Sequence, residues 1–392
     1  MRVHAALDSA RVISARGYST KLGGAPLPDA VLDAMREAAS ACVRMDLLQE
    51  AAGRLIAEVT GAESGLVASG ASAALTLGTA ACLAGMDVDR MNRLPDTTGM
   101  PDEVVVHRSH RNDYDHAVRA AGARFVEVGY SYLTHPYEVE QAITPRTAAL
   151  YWQAGGDGVA VPLAEFCAIA HRHGKPVIVD AAAELPPAAH LRSFIEQGAD
   201  LVAFSGGKHL RGPQATGILC GRAALVASAA LQHQDMDVFP ETWPLRTLQG
   251  PGRLAGPPHH GIGRGFKVGK EEIAGLMAAL ELYRVRDFDA ERRGWTADLD
   301  RILTAVRGVP GIAAELRPAS DGRPVPRLEV AVDPAVAGVD ATALVIRLQE
   351  GDPSIHVFER FAGAGRLVFH PEALAAGDAD RIAVRLREIL AG

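Results

Sequence analysis

The chain has 392 residues, 48% of them hydrophobic and 22% charged, which is typical of a soluble globular protein. This length exceeds the usual size of one hydrophobic core, so we expect two domains. The formal net charge of −7 and the absence of a long apolar run argue against nucleic acid or a membrane as a partner.

The N-terminal part of the chain combines an irregular segment with helices. Residues 1–27 end in ARGYSTKLGGAPLP, which is too rich in glycine and proline to be one regular element and predicts an N-terminal arm. Apolar residues at helical spacing predict helices over 29–41 and 46–60. A short strand, 65–69, leads into small residues over 71–84, which predict a helix that packs closely against its neighbours.

From residue 104 onward, short apolar strands alternate with helices. Strands are predicted at 104–107, 125–128, 148–152, 176–180, 201–204 and, after a turn, 217–220. Together with strand 65–69 they predict a seven-stranded, mainly parallel sheet with helices on both faces. Ligands bind beyond the carboxyl ends of the strands in such sheets, so the residues at these ends are candidates for the functional site.

The pattern changes in the last part of the chain. Residues 231–265 are rich in proline, glycine and histidine and predict an irregular region near the site or at a subunit contact. A long helix over 267–286 is followed by a mixture of helices and strands that predicts a small α+β domain. The predicted division is an arm (1–27), a large domain (28–265), and a bridging helix with the small domain (266–392).

Lys208 lies in a glycine-rich turn, SGGK, directly after the predicted strand 201–204. Only five of the 40 basic residues are lysines, so a lysine at this position is expected to need an amine that can lose its proton. Lysine can form an imine with a carbonyl compound, whereas arginine cannot. The alternative is an ordinary surface lysine. We predict that Lys208 is a covalent catalytic lysine.

Three further features fit a phosphorylated cofactor. The turn SGASAAL, which begins at Ser69, opens a helix, so its backbone N–H groups and the Ser72 hydroxyl could hold a phosphate, although Ser69 could simply cap the helix. Asp180 ends the strand VIVD, where its carboxylate could keep a pyridine nitrogen protonated or could cap a helix. Ser205 lies close to Lys208, so its hydroxyl could reach the same phosphate.

The order of anion site, aspartate and lysine along the chain is the order found in fold-type I pyridoxal-phosphate enzymes. More narrowly, the chain resembles the bacterial selenocysteine synthase group and its shorter relatives of the D-glucosaminate-6-phosphate ammonia-lyase type. The phrases that carry the resemblance include ARGYSTKLGGAPL, SGASAALTLGTAACLAG, HRHGKPVIVDAAAELPP, FSGGKHLRGPQATG and GRGFKVGKEEI, and they span about residues 15–272. The resemblance implies the fold-type I transferase fold, pyridoxal 5'-phosphate as cofactor, and a homodimer or larger homo-oligomer.

The resemblance also implies roles for particular residues. Lys208 matches the lysine that binds the cofactor and acts as general acid and base, and Asp180 matches the partner of the ring nitrogen. His110, in HRSHRND, falls where such enzymes place a residue over the cofactor ring, although a solvated loop histidine is the alternative. Arg264 and Lys267 fall where relatives often reach across a dimer towards the phosphate. The phosphate cradle would consist of Ser69, Gly70, Ala71, Ser72 and Ser205.

The substrate-binding residues are less well defined by the sequence. Arg211 and Gln214 follow Lys208 closely, and a structural role is nearly as good an interpretation. Arg16, Arg360 and Arg366 are candidate ligands for a substrate anion.

Two absences limit the possible partners. Selenocysteine synthase carries an extra N-terminal segment for its tRNA, and no basic cluster replaces it here, so we expect no nucleic-acid partner. The four widely separated cysteines (Cys42, Cys82, Cys167 and Cys220) show no metal-ligand spacing. We therefore expect no metal, and a cytoplasmic protein in a reducing compartment.

The resemblance implies a small amino acid or amino-sugar acid as substrate. Removal of the Cα proton by Lys208, with the electrons accepted by a ring that Asp180 keeps protonated, would be followed by loss of a β-substituent. We therefore predict α,β-elimination of the ammonia-lyase or dehydratase type. Racemisation or epimerisation needs the same groups and is the first alternative, and aldol cleavage is the second. A protein that binds the cofactor without turnover is disfavoured by the complete set of Asp180, Ser205 and Lys208.

Overall fold

The computed structural model describes residues 2–155, 158–233, 235, 237–250, 254–318 and 325–391. The chain divides into two compact units. The large unit is Leu27–Arg284, and the small unit combines Met1–Pro26 with Val285–Gly392. In the described part of the chain, no helix is long and apolar enough to cross a membrane.

The elements are numbered here in chain order. The strands are β1 (Val12–Ala15), β2 (Ser64–Ala68), β3 (Glu103–His107), β4 (Arg124–Val128), β5 (Thr147–Gln153), β6 (Val177–Asp180), β7 (Leu201–Ser205), β8 (Gly217–Gly221), β9 (Ile312–Arg317), β10 (Arg327–Val332), β11 (Ser354–Val357) and β12 (Arg366–Phe369). The α-helices are α1 (Arg2–Ser9), α2 (Asp29–Ala39), α3 (Met45–Thr60), α4 (Ala71–Ala84), α5 (Val88–Arg93), α6 (His116–Ala120), α7 (Pro136–Ala142), α8 (Leu163–Arg172), α9 (His190–Glu196), α10 (Ala223–His233), α11 (Lys270–Arg284), α12 (Phe288–Val306), α13 (Pro334–Ala337), α14 (Ala341–Gln349) and α15 (Asp378–Ala391).

The large unit is built on a seven-stranded sheet with the strand order β2-β8-β7-β6-β5-β3-β4. Strands β3 to β7 are parallel to one another, whereas β8 runs antiparallel to both of its neighbours. The central strands are almost entirely buried, and their runs of valine, isoleucine and leucine are what a sheet covered on both faces requires. The predicted mainly parallel seven-stranded sheet is confirmed.

Helix α4 lies in the core of the large unit, with 11 of its 14 residues buried. A helix that is apolar on all sides can be stable only when other elements surround it. Its small side chains allow close packing: a Cβ added to Gly78 would lie 3.2 Å from Leu219 and 3.3 Å from Leu201. The close packing predicted for this segment is therefore observed, against strands β8 and β7.

The small unit is an α+β structure, as predicted. It contains an antiparallel sheet in the order β12-β10-β9 and a separate parallel pair of β1 with β11. Helices α12 and α15 pack together, and Leu299, Leu328, Leu344, Phe369 and Ile382 belong to one buried cluster.

The division into units differs from the predicted boundaries in two places. Helix α11 packs against α2 and α3, so it belongs to the large unit, which ends at Arg284 rather than at residue 265. The first 26 residues belong to the small unit because β1 pairs with β11, with Ile13 opposite Ile355. The expected irregular arm thus contains a helix and a strand, and the strand's partner lies too far along the chain for local sequence to indicate it.

Candidate active site

The carboxyl ends of the parallel strands bring the predicted site residues to one edge of the large sheet. Gln153 at the end of β5 lies opposite Asp180 at the end of β6, and Asp180 lies opposite Ala203 in β7. Neighbouring strands are about 4.8 Å apart, so these ends and the turns that follow them are close together. The turn after β7 carries Lys208.

The start of helix α4 and the end of β7 meet across the first residue of β8. Gly217 pairs with Ala68 on one side and with Ser205 on the other. A Cβ added to Gly217 would lie 2.1 Å from the carbonyl carbon of Gly70 and 2.5 Å from the nitrogen of Ala71, so no side chain fits there. This glycine allows the helix start to lie directly beside the strand end that carries Ser205.

Gly70, and not Ser69, is the residue that caps helix α4. Gly70 has φ 116° and ψ 163°, a conformation that residues with a side chain rarely adopt. Among the described residues, no side chain forms a capping hydrogen bond at this end of the helix, so Ser69 does not cap it. Ser69, Gly70 and Ala71 are half-buried, and Ser72 is exposed. The first N–H groups of the helix therefore lie at the sheet edge, where the predicted phosphate cradle requires them.

Asp180 is a buried carboxyl group, with only 3% of the residue exposed. Its Oδ1 accepts a hydrogen bond from the N–H of Ala182 at 2.9 Å, and its Oδ2 accepts one from the hydroxyl of Tyr151 at 3.2 Å. Burial raises the pKa of Asp180, while these two hydrogen bonds and the positive charge of Lys208 act in the opposite direction. Asp180 and Lys208 are therefore close enough to interact electrostatically.

Lys208 is half-buried in a tightly closed loop between β7 and β8. The N–H of Gly206 donates to the carbonyl of Thr216 at 2.9 Å, and the N–H of Gly212 donates to the carbonyl of Gly206 at 2.9 Å. The N–H of Arg211 donates to the carbonyl of Lys208 at 2.9 Å, and Arg211 has φ 58°, which is the left-handed region that favours glycine. Backbone strain of this kind is concentrated at functional sites.

His110 is 3% exposed, so it is not the solvated loop histidine that the sequence also allowed. Its Nδ1 accepts a hydrogen bond from the N–H of Gln153 at 3.1 Å, which leaves the proton of the neutral ring on Nε2. Burial lowers the pKa of His110 to about 4, so the ring is neutral at physiological pH. Its Nε2 has no hydrogen-bond partner among the described residues.

The family of the protein follows from comparison with known sequences. The family model described as "SelA: L-seryl-tRNA selenium transferase" matches residues 12–237. The chain belongs to this family. It is 35% identical over 388 residues to a 5'-C-glycyluridine monooxygenase-decarboxylase of a Streptomyces species, covering 97% of this chain and 90% of the relative. It is 32% identical over 394 residues to the D-glucosaminate-6-phosphate ammonia lyase of Salmonella typhimurium, covering 99% and 97%.

A solved structure of D-glucosaminate-6-phosphate ammonia-lyase matches this SelA-family chain with a TM-score of 0.84. The identity is 32%, and the match covers 99% of this chain and 98% of the other. The predicted fold-type I architecture is confirmed, and with it the expectation of an enzyme that uses pyridoxal phosphate.

Three structural observations indicate that the residues at the sheet edge of this SelA-family enzyme fit the cofactor. The start of α4 lies so close to Gly217 that no side chain fits between them, which leaves the first N–H groups of the helix at the sheet edge. The buried Asp180 lies within electrostatic reach of Lys208. The buried His110 presents an Nε2–H donor without a partner among the described residues.

Four further polar residues lie at this edge; His107 ends the predicted strand 104–107 and so belongs to the strand-end candidates, whereas the other three were not predicted from the sequence. His107 is fully buried and its Nε2 accepts the N–H of Val161 at 3.3 Å; burial, helped by His110, lowers its pKa to about 3. The other three residues form a hydrogen-bonded group with Asp180 and are Tyr151, Gln153 and Asn112. The only signal in the sequence was a polar residue, Gln153, at the end of an otherwise apolar strand.

The predicted substrate ligands are distributed over both units. Gln214 packs against Gly207 in the Lys208 loop, where a Cβ on that glycine would lie 2.6 Å from the Gln214 Oε1. In the small unit, Nη1 of Arg16 donates to Oε1 of Glu359 at 3.0 Å. Arg360 and Arg366 are exposed, and the guanidinium of Arg366 lies 5.1 Å from the centre of the Phe361 ring.

Arg264 and Lys267 line a pocket of about 720 Å³ in the large unit. Arg264 forms an ion pair with Asp235 at 3.3 Å, and Lys267 is exposed. Among the described residues, Asp235, Asp237 and His260 are close enough to share a metal ion, but all three are exposed surface groups. Exposed acidic groups of this kind are common on protein surfaces without a metal ion.

Proposed function

We propose that this SelA-family enzyme is a pyridoxal-phosphate-dependent lyase that eliminates a β-substituent from a small amino acid or amino-sugar acid. The observation that carries the proposal is the buried carboxylate of Asp180 within electrostatic reach of Lys208 at the carboxyl edge of the sheet. The identity of 32% to an ammonia lyase along nearly the whole of both chains supports this reaction type.

The cofactor-binding roles follow the geometry of the sheet edge. Lys208 would hold the cofactor covalently, Asp180 would hold its ring nitrogen, and His110 would lie over its ring. The phosphate would be held by the start of α4 and the adjacent strand end, that is by Ser69, Gly70, Ala71, Ser72 and Ser205. When bound, the cofactor supplies an electron sink for the carbon that loses its proton.

The residues of the chain then perform the proton transfers. The amine of Lys208 removes the Cα proton of the substrate and is placed to return a proton to the leaving group. Burial raises the pKa of Asp180, and the hydrogen bonds that it accepts from Tyr151 and Ala182 oppose this rise, so they favour the ionised carboxylate that can hold a proton on the ring nitrogen. His110 stays neutral and adds no positive charge beside the ring.

Arg211 is our first choice for the residue that binds the substrate anion. Its backbone has a positive φ, and its N–H donates a hydrogen bond to the carbonyl of Lys208. This hydrogen bond fixes the position of the Arg211 backbone relative to the residue that carries the reacting amine. We keep Gln214, Arg360 and Arg366 as further candidates. Arg16 is a weaker candidate because its guanidinium already pairs with Glu359.

We also infer a cytoplasmic homodimer, or larger homo-oligomer, without a nucleic-acid partner. The inference rests on the resemblance, because Arg264 and Lys267 fall where relatives often reach across a dimer, and both residues line an open pocket of the large unit. All four cysteines are free, which fits a reducing compartment.

A second candidate function is decarboxylation of an amino acid with consumption of oxygen. It is favoured by the 35% identity to a monooxygenase-decarboxylase, which is slightly higher than the identity to the ammonia lyase. No observation in the structure favours racemisation, epimerisation or aldol cleavage over these two reactions.

The test is an assay of the purified, cofactor-loaded protein against D- and L-amino acids and amino-sugar acids. Ammonia and a 2-oxo acid formed without oxygen uptake support the lyase, whereas oxygen uptake with release of carbon dioxide supports the second candidate. The matched control is Lys208→Ala, which should lose the visible absorption of the bound cofactor and all turnover. Chemical reduction of the loaded wild-type protein fixes the cofactor to the lysine that holds it. If that lysine is not Lys208, the assignment of Lys208 is wrong.

A further inference from the structure

Tyr151 has a hydroxyl that can donate to either of two acceptors. The hydroxyl lies 3.2 Å from Oδ2 of Asp180 and also 3.2 Å from Oε1 of Gln153. A phenol carries one proton, so it donates to one of these oxygens at a time. The two acceptors differ in charge, because a carboxylate is ionised and an amide is not.

The surroundings favour donation to Asp180. A charged acceptor forms the stronger hydrogen bond. The amide oxygen of Gln153 already accepts a hydrogen bond from Nδ2 of Asn112 at 2.9 Å, so it has a donor without the phenol. Among the described residues, the carboxylate of Asp180 has one other donor, the N–H of Ala182 on Oδ1. Oδ2 of Asp180 therefore depends on Tyr151 for its hydrogen bond.

Tyr151 and Asp180 are both buried, with 1% and 3% of each residue exposed. Little water can replace a missing hydrogen bond at such a site, so the loss of one donor changes the charge state of the carboxyl group strongly. The other charged groups that act on Asp180 are Lys208 and Glu184, and Asp115 acts on Tyr151. Burial, the carboxylate of Asp180 and that of Asp115 raise the pKa of Tyr151, so its hydroxyl remains a donor.

We propose that Tyr151 is a positioning residue that keeps the shared proton on the cofactor ring nitrogen rather than on Asp180. Donation by the phenol stabilises the ionised carboxylate, and an ionised Asp180 leaves the proton on the nitrogen. Without this donor the carboxyl group becomes more basic and takes a larger share of that proton. The inference rests on the proposed function only through the assignment of Asp180 to the ring nitrogen.

The test compares Tyr151→Phe with Gln153→Leu, each loaded with isotopically labelled pyridoxal phosphate, by the NMR chemical shift of the ring nitrogen. Tyr151→Phe keeps the ring that packs against Phe125 and removes only the hydroxyl. We expect the equilibrium between protonated and unprotonated nitrogen to shift about tenfold towards the unprotonated form, because a hydrogen bond to a charged group is lost. kcat should fall by a similar factor, with KM little changed.

Gln153→Leu removes the competing acceptor, so its ring nitrogen should stay as protonated as in the wild type or more so. Tyr114→Phe, at a position with 67% exposure, is the matched control for loss of a phenol. An unchanged shift in Tyr151→Phe, or equal loss of protonation in both test variants, would overturn the proposal. Failure of the wild-type protein to bind the cofactor would instead contradict the proposed function.

Discussion

At the scale of single residues, two neutral histidines lie side by side at the candidate site. The ring centres of His107 and His110 are 4.7 Å apart, and each ring uses one nitrogen to accept a backbone N–H. Burial lowers both pKa values, to about 3 and about 4 respectively. In the unfolded chain both rings have the ordinary pKa of about 6.5, so folding excludes protons that the unfolded state binds.

The first prediction concerns the loss of stability in acid. Above pH 6.5 both states of His110 are neutral, and as the pH falls from about 6.5 to about 4 only the unfolded state gains the proton. Protonation of His110 in the unfolded state should therefore lower the free energy of unfolding by roughly 2 kcal/mol at pH 5 relative to pH 7. His110→Asn, whose amide oxygen can accept the Gln153 N–H, should lose that part of the pH dependence in urea unfolding.

The matched control for this prediction is His116→Asn, which replaces an exposed histidine of the same unit. If His110→Asn destabilises in acid as steeply as the wild type, the ring is not held neutral in the folded protein.

The sequence indicates which groups carry the chemistry better than it indicates their neighbours. Lys208 and Asp180 were found because a lysine in a glycine turn and an aspartate at a strand end are unusual in themselves. Tyr151 was not found, because an aromatic residue within an apolar strand resembles ordinary core. Its importance comes from its hydrogen bond to Asp180 in the neighbouring strand, which only the folded chain brings close to it.

At the scale of elements, the site depends on how closely the start of α4 approaches strand β8. The approach requires glycine at position 217, since any Cβ there would lie 2.1 Å from the carbonyl carbon of Gly70. The sequence predicted the ends of α4 correctly, because its run of small residues is unmistakable. It did not predict this contact, because a glycine at the start of a strand gives no sign of what lies across from it.

The second prediction is that Gly217→Ala damages both stability and cofactor binding. Overpacking of this kind typically costs 1–3 kcal/mol, about the range expected here, because the backbone of Gly70 must move. The same movement displaces the N–H groups proposed to hold the phosphate, so affinity for pyridoxal phosphate should fall about tenfold or more. Thermal unfolding and titration of the cofactor-free protein measure the two effects.

Gly256→Ala is the control for this second prediction, because a Cβ at position 256 meets no atom within 4 Å. If Gly217→Ala is destabilised but binds the cofactor with unchanged affinity, the contact at Gly217 does not position the N–H groups that hold the phosphate, and the prediction is wrong.

At the scale of the whole molecule, the alternation of strands and helices was sufficient to predict the large sheet. The sequence did not predict that the first 26 residues belong to the C-terminal unit. The pairing of β1 with β11 joins segments that lie far apart along the chain, so no local pattern indicates it. The reaction also cannot be read from the fold, since two relatives of similar identity and nearly full coverage bear the names of different activities. A shared scaffold therefore fixes the cofactor chemistry, and the substrate-binding residues decide its outcome.

The last prediction concerns the number of chains that build one site. If Lys267 of one chain acts at the phosphate site of a second chain, the variants Lys208→Ala and Lys267→Ala should complement each other. A mixed dimer would contain one site with an intact Lys208 in its own chain and an intact Lys267 from the other chain. Random mixing should then restore about one quarter of wild-type activity, because half of the dimers are mixed and each has one working site. If mixed dimers form, as shown by two different affinity tags, but activity is not restored, Lys267 serves the site of its own chain or no site at all.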